Sequence, residues 1–133
     1  MKTAILGFRL SLLAVLTSGV AGCAVAAAGA GAAAAIAYNE RGVSTKVAAA
    51  PAMVFQRSQA VFREMGITET GHDMGDDGTE HELKGRQGDL EITVDIKRES
   101  ETLTSVEVFA QESTIEWDRD YARRVLEAIM ARN

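Results

Sequence analysis

The sequence predicts an α+β fold of two layers, in which an antiparallel sheet of four to five strands packs against two helices. Residues 90–96 alternate apolar and polar side chains with the period of two that a half-buried strand shows. Residues 51–65 and the segment after Asp118 instead place apolar side chains at helical spacing. The predicted order is strand, helix, three or four strands, helix. Strands with one polar face in this arrangement are typical of a sheet covered by helices on one side.

Residues 1–22 are predicted to be a signal peptide. Lys2 and Arg9 supply its positive charges, the apolar run LSLLAVL occupies residues 10–16, and small residues follow. This run is shorter than the roughly 20 apolar residues that a membrane-spanning helix needs. The alternative is an uncleaved anchor through the uncharged residues 10–38, but alanine and glycine contribute little to membrane insertion.

Residues 23–38 are predicted to form a tether rich in alanine and glycine. Within it, the stretch AVAAAGAGAAAAIA has no polar side chain. Its alanines favour a helix, whereas Gly29 and Gly31 oppose one. The alternative is a packing face of small residues for a neighbouring helix, although glycines two positions apart do not share a helix face.

Residues 39–133 are predicted to form one small domain, which begins with a strand and a helix. The stretch VSTKVAAA at 43–50 predicts the strand, and Pro51 suits the first turn of the helix. Gly66 stands where a C-terminal cap belongs, so the helix is expected to end at residue 65. Its predicted inward face carries Val54, Ser58, Val61, Phe62 and Met65.

The middle of the domain is predicted to be a series of antiparallel strands. Strands over ITETGHDM at 67–74 and HELKG at 81–85 are separated by the turn-rich GDDGT. A reversal at GRQG leads into the strand at 90–96, and RESET forms the next turn. The last strand shows alternation at Thr104, Val106 and Val108.

The chain is predicted to end in a helix capped by the side chain of Asp118. Its apolar stripe is expected to cover the apolar face of the strand at 90–96. The aromatic residues Trp117 and Phe109 precede this helix, and we expect Trp117 to pack on the core as a hydrophobic staple. The alternative is that the two rings mark a binding surface. The stripe consists of Tyr121, Ala122, Val125, Leu126 and Ile129.

The charge balance excludes nucleic acid as an expected partner. Cleavage after residue 22 leaves 12 basic and 19 acidic side chains, a net charge of −7. Binding to phosphates requires a basic stripe, which the sequence lacks. The basic residues are also scattered, so no polybasic patch for an anionic membrane is predicted.

The stretch GHDMGDDGTEHE at 71–82 collects acids and both histidines, yet it predicts no metal site. A calcium loop that starts at Asp73 needs an acid at its twelfth position, where Lys84 stands. His81 and Glu82 point to opposite faces of a strand, so they do not converge on zinc. We expect a solvated acidic turn without metal or other cofactor, and specific metal binding is the alternative.

Catalytic motifs are also missing from the sequence. It contains no nucleophile elbow, glycine-rich phosphate loop or zinc motif, and both histidines lie in one acidic segment. We therefore predict that the protein is not an enzyme and has no catalytic residues.

The four residues Val20-Ala21-Gly22-Cys23 resemble a bacterial lipobox. Two small residues let an extended chain enter the peptidase, and Cys23 is the only cysteine, so its thiol has no disulfide partner. The alternative is a buried, inert cysteine, but no predicted core lies beside a residue that directly follows a signal peptide. The resemblance implies thioether lipidation of Cys23, cleavage after Gly22 and acylation of the new amino terminus. Ala24, rather than aspartate, follows Cys23, which by resemblance to enterobacterial sorting favours the outer membrane.

The chain as a whole is similar to an uncharacterised family of small bacterial lipoproteins that carry a domain of unknown function. The similarity lies in the lipobox, the Ala/Gly run up to Tyr38, the strand before Pro51, the helix ending EMGI, the strand LEITVDI and the helix ARRVLEAIMAR. It implies a cell-envelope lipoprotein with a small α+β domain and supplies no catalytic residues.

The expected function is therefore a non-enzymatic structural or interaction module of the cell envelope. It would be anchored through lipid at Cys23 to the periplasmic face of the outer membrane, with an envelope protein as its candidate partner. The alternative is a small periplasmic carrier that binds a ligand or a metal through the acidic loop or a sheet surface.

Overall fold

The computed structural model describes residues 35–132 and shows an α+β fold with one six-stranded antiparallel sheet and two helices. The predicted signal peptide, Cys23 and most of the tether lie outside these residues. The strand order in the sheet is β1-β2-β6-β5-β4-β3. The elements are β1 (Ala37–Tyr38), β2 (Gly42–Val47), α1 (Pro51–Met65), β3 (Thr68–Met74), β4 (Glu80–Gln87), β5 (Leu90–Arg98), β6 (Thr104–Gln111) and α2 (Arg119–Met130).

The sixth strand is the short β1, which the sequence did not predict. Ala37 pairs with Ser44 of β2, and the hydroxyl of Thr45 donates a hydrogen bond to the Ala35 carbonyl oxygen at 3.1 Å. Ile36 packs against the core. The folded unit therefore includes residues that precede Asn39, the predicted start of the domain.

Both helices pack on one face of the sheet because the strands alternate as the sequence predicts. In β5 and β6 every second side chain is buried under the helices. The intervening polar side chains lie on the opposite face, which neither helix of residues 35–132 covers and which we call the open face. The buried apolar residues of these two strands are Ile92, Val94, Ile96, Val106, Val108 and Ala110.

Helix α1 has the predicted bounds, and its ends show why. Pro51 occupies the first turn, and Gly66 ends the helix in the left-handed region with φ of 70°. Ser58 faces inward as predicted, and its hydroxyl donates to the Val54 carbonyl oxygen at 2.8 Å. The helix lies over β4 and β5.

Helix α2 is capped as predicted, because the Asp118 carboxylate accepts a hydrogen bond from the Tyr121 backbone N–H at 2.8 Å. Leu126 and Ile129 are fully buried. The expected docking partner was wrong: α2 packs mainly against β6 and β2, whereas α1 covers β5. The two helices lie side by side on the sheet, so each covers a different pair of strands. Neither helix within residues 35–132 is long and apolar enough to cross a membrane.

The reversal between β4 and β5 is tighter than the predicted GRQG turn. Gln87 pairs with Leu90, so only Gly88 and Asp89 lie between the two strands, and Gly88 has a φ of 60°. Gly85 is instead a buried position within β4, where the rings and methyl groups below the strand leave no space for a side chain.

Candidate functional site

Cys23 is the one site residue that the sequence predicts, and it lies outside residues 35–132. Its lipidation therefore stays a prediction. What the structure adds is the arrangement of the acidic segment, of the open face of the sheet, and of the surface near the start of β1.

The two histidines of the acidic segment lie on the helix side of the sheet. His81 is buried, and its ring centroid lies 5.4 Å from that of Phe55 in α1. The ring of His72 lies 5.7 Å from Phe55, and its Nδ1 atom lies 2.9 Å from a carboxylate oxygen of Glu69. Phe55 therefore packs between an inner and an outer imidazole.

Neither ring nitrogen of His81 has a hydrogen-bond partner within the part of the chain that the structure describes. A buried polar group without a partner costs about 1–3 kcal/mol. Strand alternation predicted correctly that His81 and Glu82 face opposite sides, but it gives no information about hydrogen-bond partners. The sequence therefore could not identify this unpaired imidazole.

No group of three or more His, Cys, Asp or Glu side chains among residues 35–132 is placed to hold a metal ion. Within the turn between β3 and β4, the carboxylate of Asp77 accepts bonds from the backbone N–H and the hydroxyl of Thr79, at 3.0 and 2.6 Å. These bonds hold the pKa of Asp77 below its ordinary value. This part of the acidic segment is thus a hydrogen-bonded turn.

Four carboxylates form a row across the open face, and we call them the acid row. Each belongs to a different strand and lies directly opposite the next in the sheet register. Like charges that are directly opposite destabilise a sheet. A cavity of about 540 Å³ lies over the row. The row consists of Asp73, Glu82, Asp95 and Glu107.

Asp95 is one of the two inner members of the acid row and has no ion-pair partner among the described residues. Burial raises the pKa of its carboxyl group, and the neighbouring carboxylates of Glu82 and Glu107 raise it further. The positive charge of Lys84 lowers the pKa of Asp95. The ion-pair partner of Lys84 is Glu82, however, because its ammonium group lies 2.7 Å from a carboxylate oxygen of that residue. The Glu107 carboxylate accepts a hydrogen bond from the side chain of Asn39.

Two further bases of the open face are paired with acids outside the row. The ammonium group of Lys97 lies 2.7 Å from a carboxylate oxygen of Glu80, and that of Lys46 lies 2.8 Å from one of Glu99. The open face thus combines several ion pairs, one of which involves Glu82 of the acid row, with one inner acid, Asp95, that has no ion-pair partner among the described residues.

Trp117 does not pack on the core, contrary to our expectation. It is half-buried, and its ring centroid lies 6.1 Å from that of Phe109, which strand alternation places on the open face. An isolated bridge between Trp117 and Gln111 holds the ring beside the end of β6, away from the buried cluster under the helices. The two aromatic residues therefore belong to the surface.

A second cavity, of about 750 Å³, lies next to this aromatic pair. Its lining includes Trp117, Tyr38 of β1 and Ile115 of the loop before α2. Tyr38 is 55% exposed and Ile115 is 86% exposed. The end of the domain where the described chain begins therefore presents apolar side chains to its surroundings.

No family model and no curated protein sequence matches this chain.

Proposed function

We propose that the protein is a lipid-anchored lipoprotein of the cell envelope, in which the α+β domain acts as a non-enzymatic structural or interaction module. The single observation that carries this proposal is the stretch VAGC at 20–23, which follows a charged and then apolar leader and contains the only cysteine of the chain. Membership of a small-lipoprotein family is part of the same proposal and rests on the same residues.

The anchoring chemistry follows from the free energy of burying acyl chains. Each buried methylene contributes about 0.8 kcal/mol, and a single acyl chain gives only reversible binding. A diacylglyceryl group on the Cys23 sulfur together with an acyl group on its nitrogen supplies several chains. The anchored protein would then hardly dissociate from the membrane.

The path of the chain is compatible with a tether at this position. Cys23 precedes Ala35 by 12 residues, which span up to about 40 Å when extended. The described chain starts at the edge of the sheet, because β1 pairs on one side only, with β2. A lipid anchor at Cys23 therefore leaves the folded core intact.

The open face is the surface that supports an interaction role. It carries the acid row and several ion pairs, and neither α1 nor α2 covers it. We propose an envelope protein as the partner of this module, and the periplasmic face of the outer membrane as its location. The location rests on Ala24, which follows the predicted lipidation site.

A small periplasmic carrier is the second candidate function. The cavity of about 540 Å³ over the acid row is the observation that favours it. Copurification after mild crosslinking of the envelope distinguishes the two. A reproducible protein partner supports the interaction module, and a bound small molecule supports the carrier.

Metabolic labelling with a palmitate analogue tests the anchor. We expect the wild-type chain to be labelled and Cys23→Ala to stay unlabelled as an uncleaved precursor. Ser18→Ala, a change in the leader outside the four-residue motif, serves as the matched control and should be labelled.

A second control distinguishes lipobox processing from simple acylation of a nearby thiol. Combining Cys23→Ala with Ala26→Cys keeps one thiol in the segment but removes it from the motif. We expect no label on this variant. Undiminished label on Cys23→Ala would contradict the proposal.

A further inference from the structure

The surface at the start of the described chain carries three apolar side chains that lie around one cavity. Ile115 is 86% exposed, Tyr38 is 55% exposed, and Trp117 is half-buried. We call these three residues the apolar patch. Exposed apolar side chains that line one cavity are candidate points of contact with a partner or a membrane.

Backbone hydrogen bonds fix the loop that presents Ile115. The Glu112 N–H donates to the Glu116 carbonyl oxygen at 3.1 Å, and the Asp118 N–H donates to the Ala110 carbonyl oxygen at 2.8 Å. Trp117 in turn packs against Phe109. The patch is therefore formed before any partner arrives, so that contact does not require the loop to become ordered.

The patch lies close to the point from which the tether leaves. Tyr38 follows Ala35 by three residues, a separation of about 10 Å along a strand. The guanidinium of Arg119 donates to the Asn39 carbonyl oxygen at 3.4 Å, which holds the start of α2 beside the turn after β1. A membrane that holds Cys23 thus lies within the reach of 12 residues, about 40 Å.

The side chains and their surroundings identify the kind of membrane surface that fits. Tyrosine and tryptophan combine an apolar ring with a polar tip and are enriched where hydrocarbon meets headgroups. Five of the nine residues that line the same cavity are acids, namely Glu40, Glu112, Glu116, Asp118 and Asp120. These carboxylates repel anionic lipids, so the patch is suited to a zwitterionic surface.

We propose that the apolar patch of Tyr38, Ile115 and Trp117 rests among zwitterionic headgroups of the bilayer to which the tether leads. The proposal rests on the proposed lipid anchor and goes beyond it, because it assigns an orientation to the anchored domain. The high effective concentration that a tether creates allows a small patch to stay in contact. This contact fixes one end of the domain at the membrane.

The test uses the emission of Trp117, which is the only tryptophan of the chain. The full chain is expressed in bacteria, purified from the membrane, and reconstituted in vesicles of phosphatidylcholine with or without bromine near the headgroup end of the acyl chains. We expect loss of emission in the brominated vesicles alone. Adding anionic phosphatidylglycerol at low salt should reduce this loss.

Two variants show whether the patch is responsible. Ile115→Asp should restore the emission in brominated vesicles, and its 86% exposure means that the fold tolerates the change. Met74→Asp is the matched control, because Met74 is 55% exposed, like Tyr38, but lies on β3 at the other edge of the sheet. It should be quenched like the wild type.

The mass of the purified chain reports separately on the lipid at Cys23. If the mass shows no lipid, the anchor proposal fails, and the free Cys23 thiol is then coupled to a maleimide phospholipid in the same vesicles. Equal emission in brominated and plain vesicles, with the chain attached by either route, would overturn the orientation. A blue shift that grows with protein density without bromine quenching would assign the patch to a second copy and would overturn it as well.

Discussion

Replacing Gly85 with alanine is expected to destabilise the domain, because a Cβ atom at this position would collide with the core. It would lie 2.5 Å from the Cε2 atom of Phe62 and 2.6 Å from the Cγ2 atom of Ile67, although real Cβ contacts essentially never fall below 3.0 Å. Both neighbours are buried, at 1% and 4% exposure. Both belong to the hydrophobic core, so a shift of either side chain disturbs its neighbours there.

The size of this effect follows from the cost of overpacking a core, which is about 1–3 kcal/mol. A gain of about 0.4–1 kcal/mol from the lower entropy of the unfolded alanine chain offsets part of it. A domain of roughly 100 residues has a free energy of unfolding that starts at about 5 kcal/mol. Each kcal/mol lost lowers its melting midpoint by about 4–8 °C.

Gly71→Ala is the matched control, because a Cβ atom at Gly71 meets no atom within 4 Å. Gly71 lies on β3, the strand that pairs with β4, so the two variants differ mainly in the collision. Urea unfolding of residues 35–133, followed by circular dichroism, measures both. A midpoint for Gly85→Ala equal to or above that of Gly71→Ala would refute the packing described above.

Three further outcomes are expected. Leu126→Asp combined with Ile129→Asp should abolish the cooperative melting transition of the lipid-free domain, since each buried side chain contributes about 1.5–3 kcal/mol, and an unchanged transition would show that α2 is not required. Asp95→Asn should raise the melting midpoint at pH 7. The raised pKa of Asp95 means that the folded domain loses stability as the pH rises through that pKa and the carboxyl group ionises, and asparagine carries no such charge. This gain should shrink in acid, below the ordinary pKa of aspartate, and a gain that stays constant in a pH series would contradict the raised pKa. Titration calorimetry with calcium and with zinc should show no stoichiometric binding of micromolar or higher affinity. Such binding, if His81→Ala abolished it, would contradict our prediction that no metal site is present.

The fold was largely predictable because the local signals agree with each other. Pro51 and Gly66 stand at the two ends of α1, and Asp118 stands at the start of α2, so both helices follow from capping chemistry. The alternation in β5 and β6 fixed which face of the sheet is buried. These features depend only on neighbours along the chain.

The features that the sequence did not predict depend on contacts between distant parts of the chain. The two residues of β1 are too few to show alternation, and their pairing with β2 becomes visible only in the folded sheet. The docking of α2 on β6 and β2 depends on the space that α1 already occupies. The buried position of Gly85 likewise depends on Phe62 and Ile67.

The acid row was beyond sequence analysis for a similar reason. Alternation places each carboxylate on the open face, but only the strand register brings Glu82, Asp95 and Glu107 into direct opposition. The register depends on turn lengths, and the turn before β5 proved shorter than predicted. An aromatic residue before a helix cap often packs on the core, which is why the sequence predicts that position for Trp117, whereas in the structure its ring packs against Phe109 at the surface.

The intact mass and the amino-terminal residue of the mature protein, purified from the membrane fraction, test the central claim most directly. We predict a chain that begins at Cys23 and carries the added mass of a diacylglyceryl group and one amide-linked acyl chain. Mild alkali should remove the two ester-linked chains and leave the amide-linked one. A mature chain that begins at another residue, or a Cys23 that carries no lipid, would contradict the account.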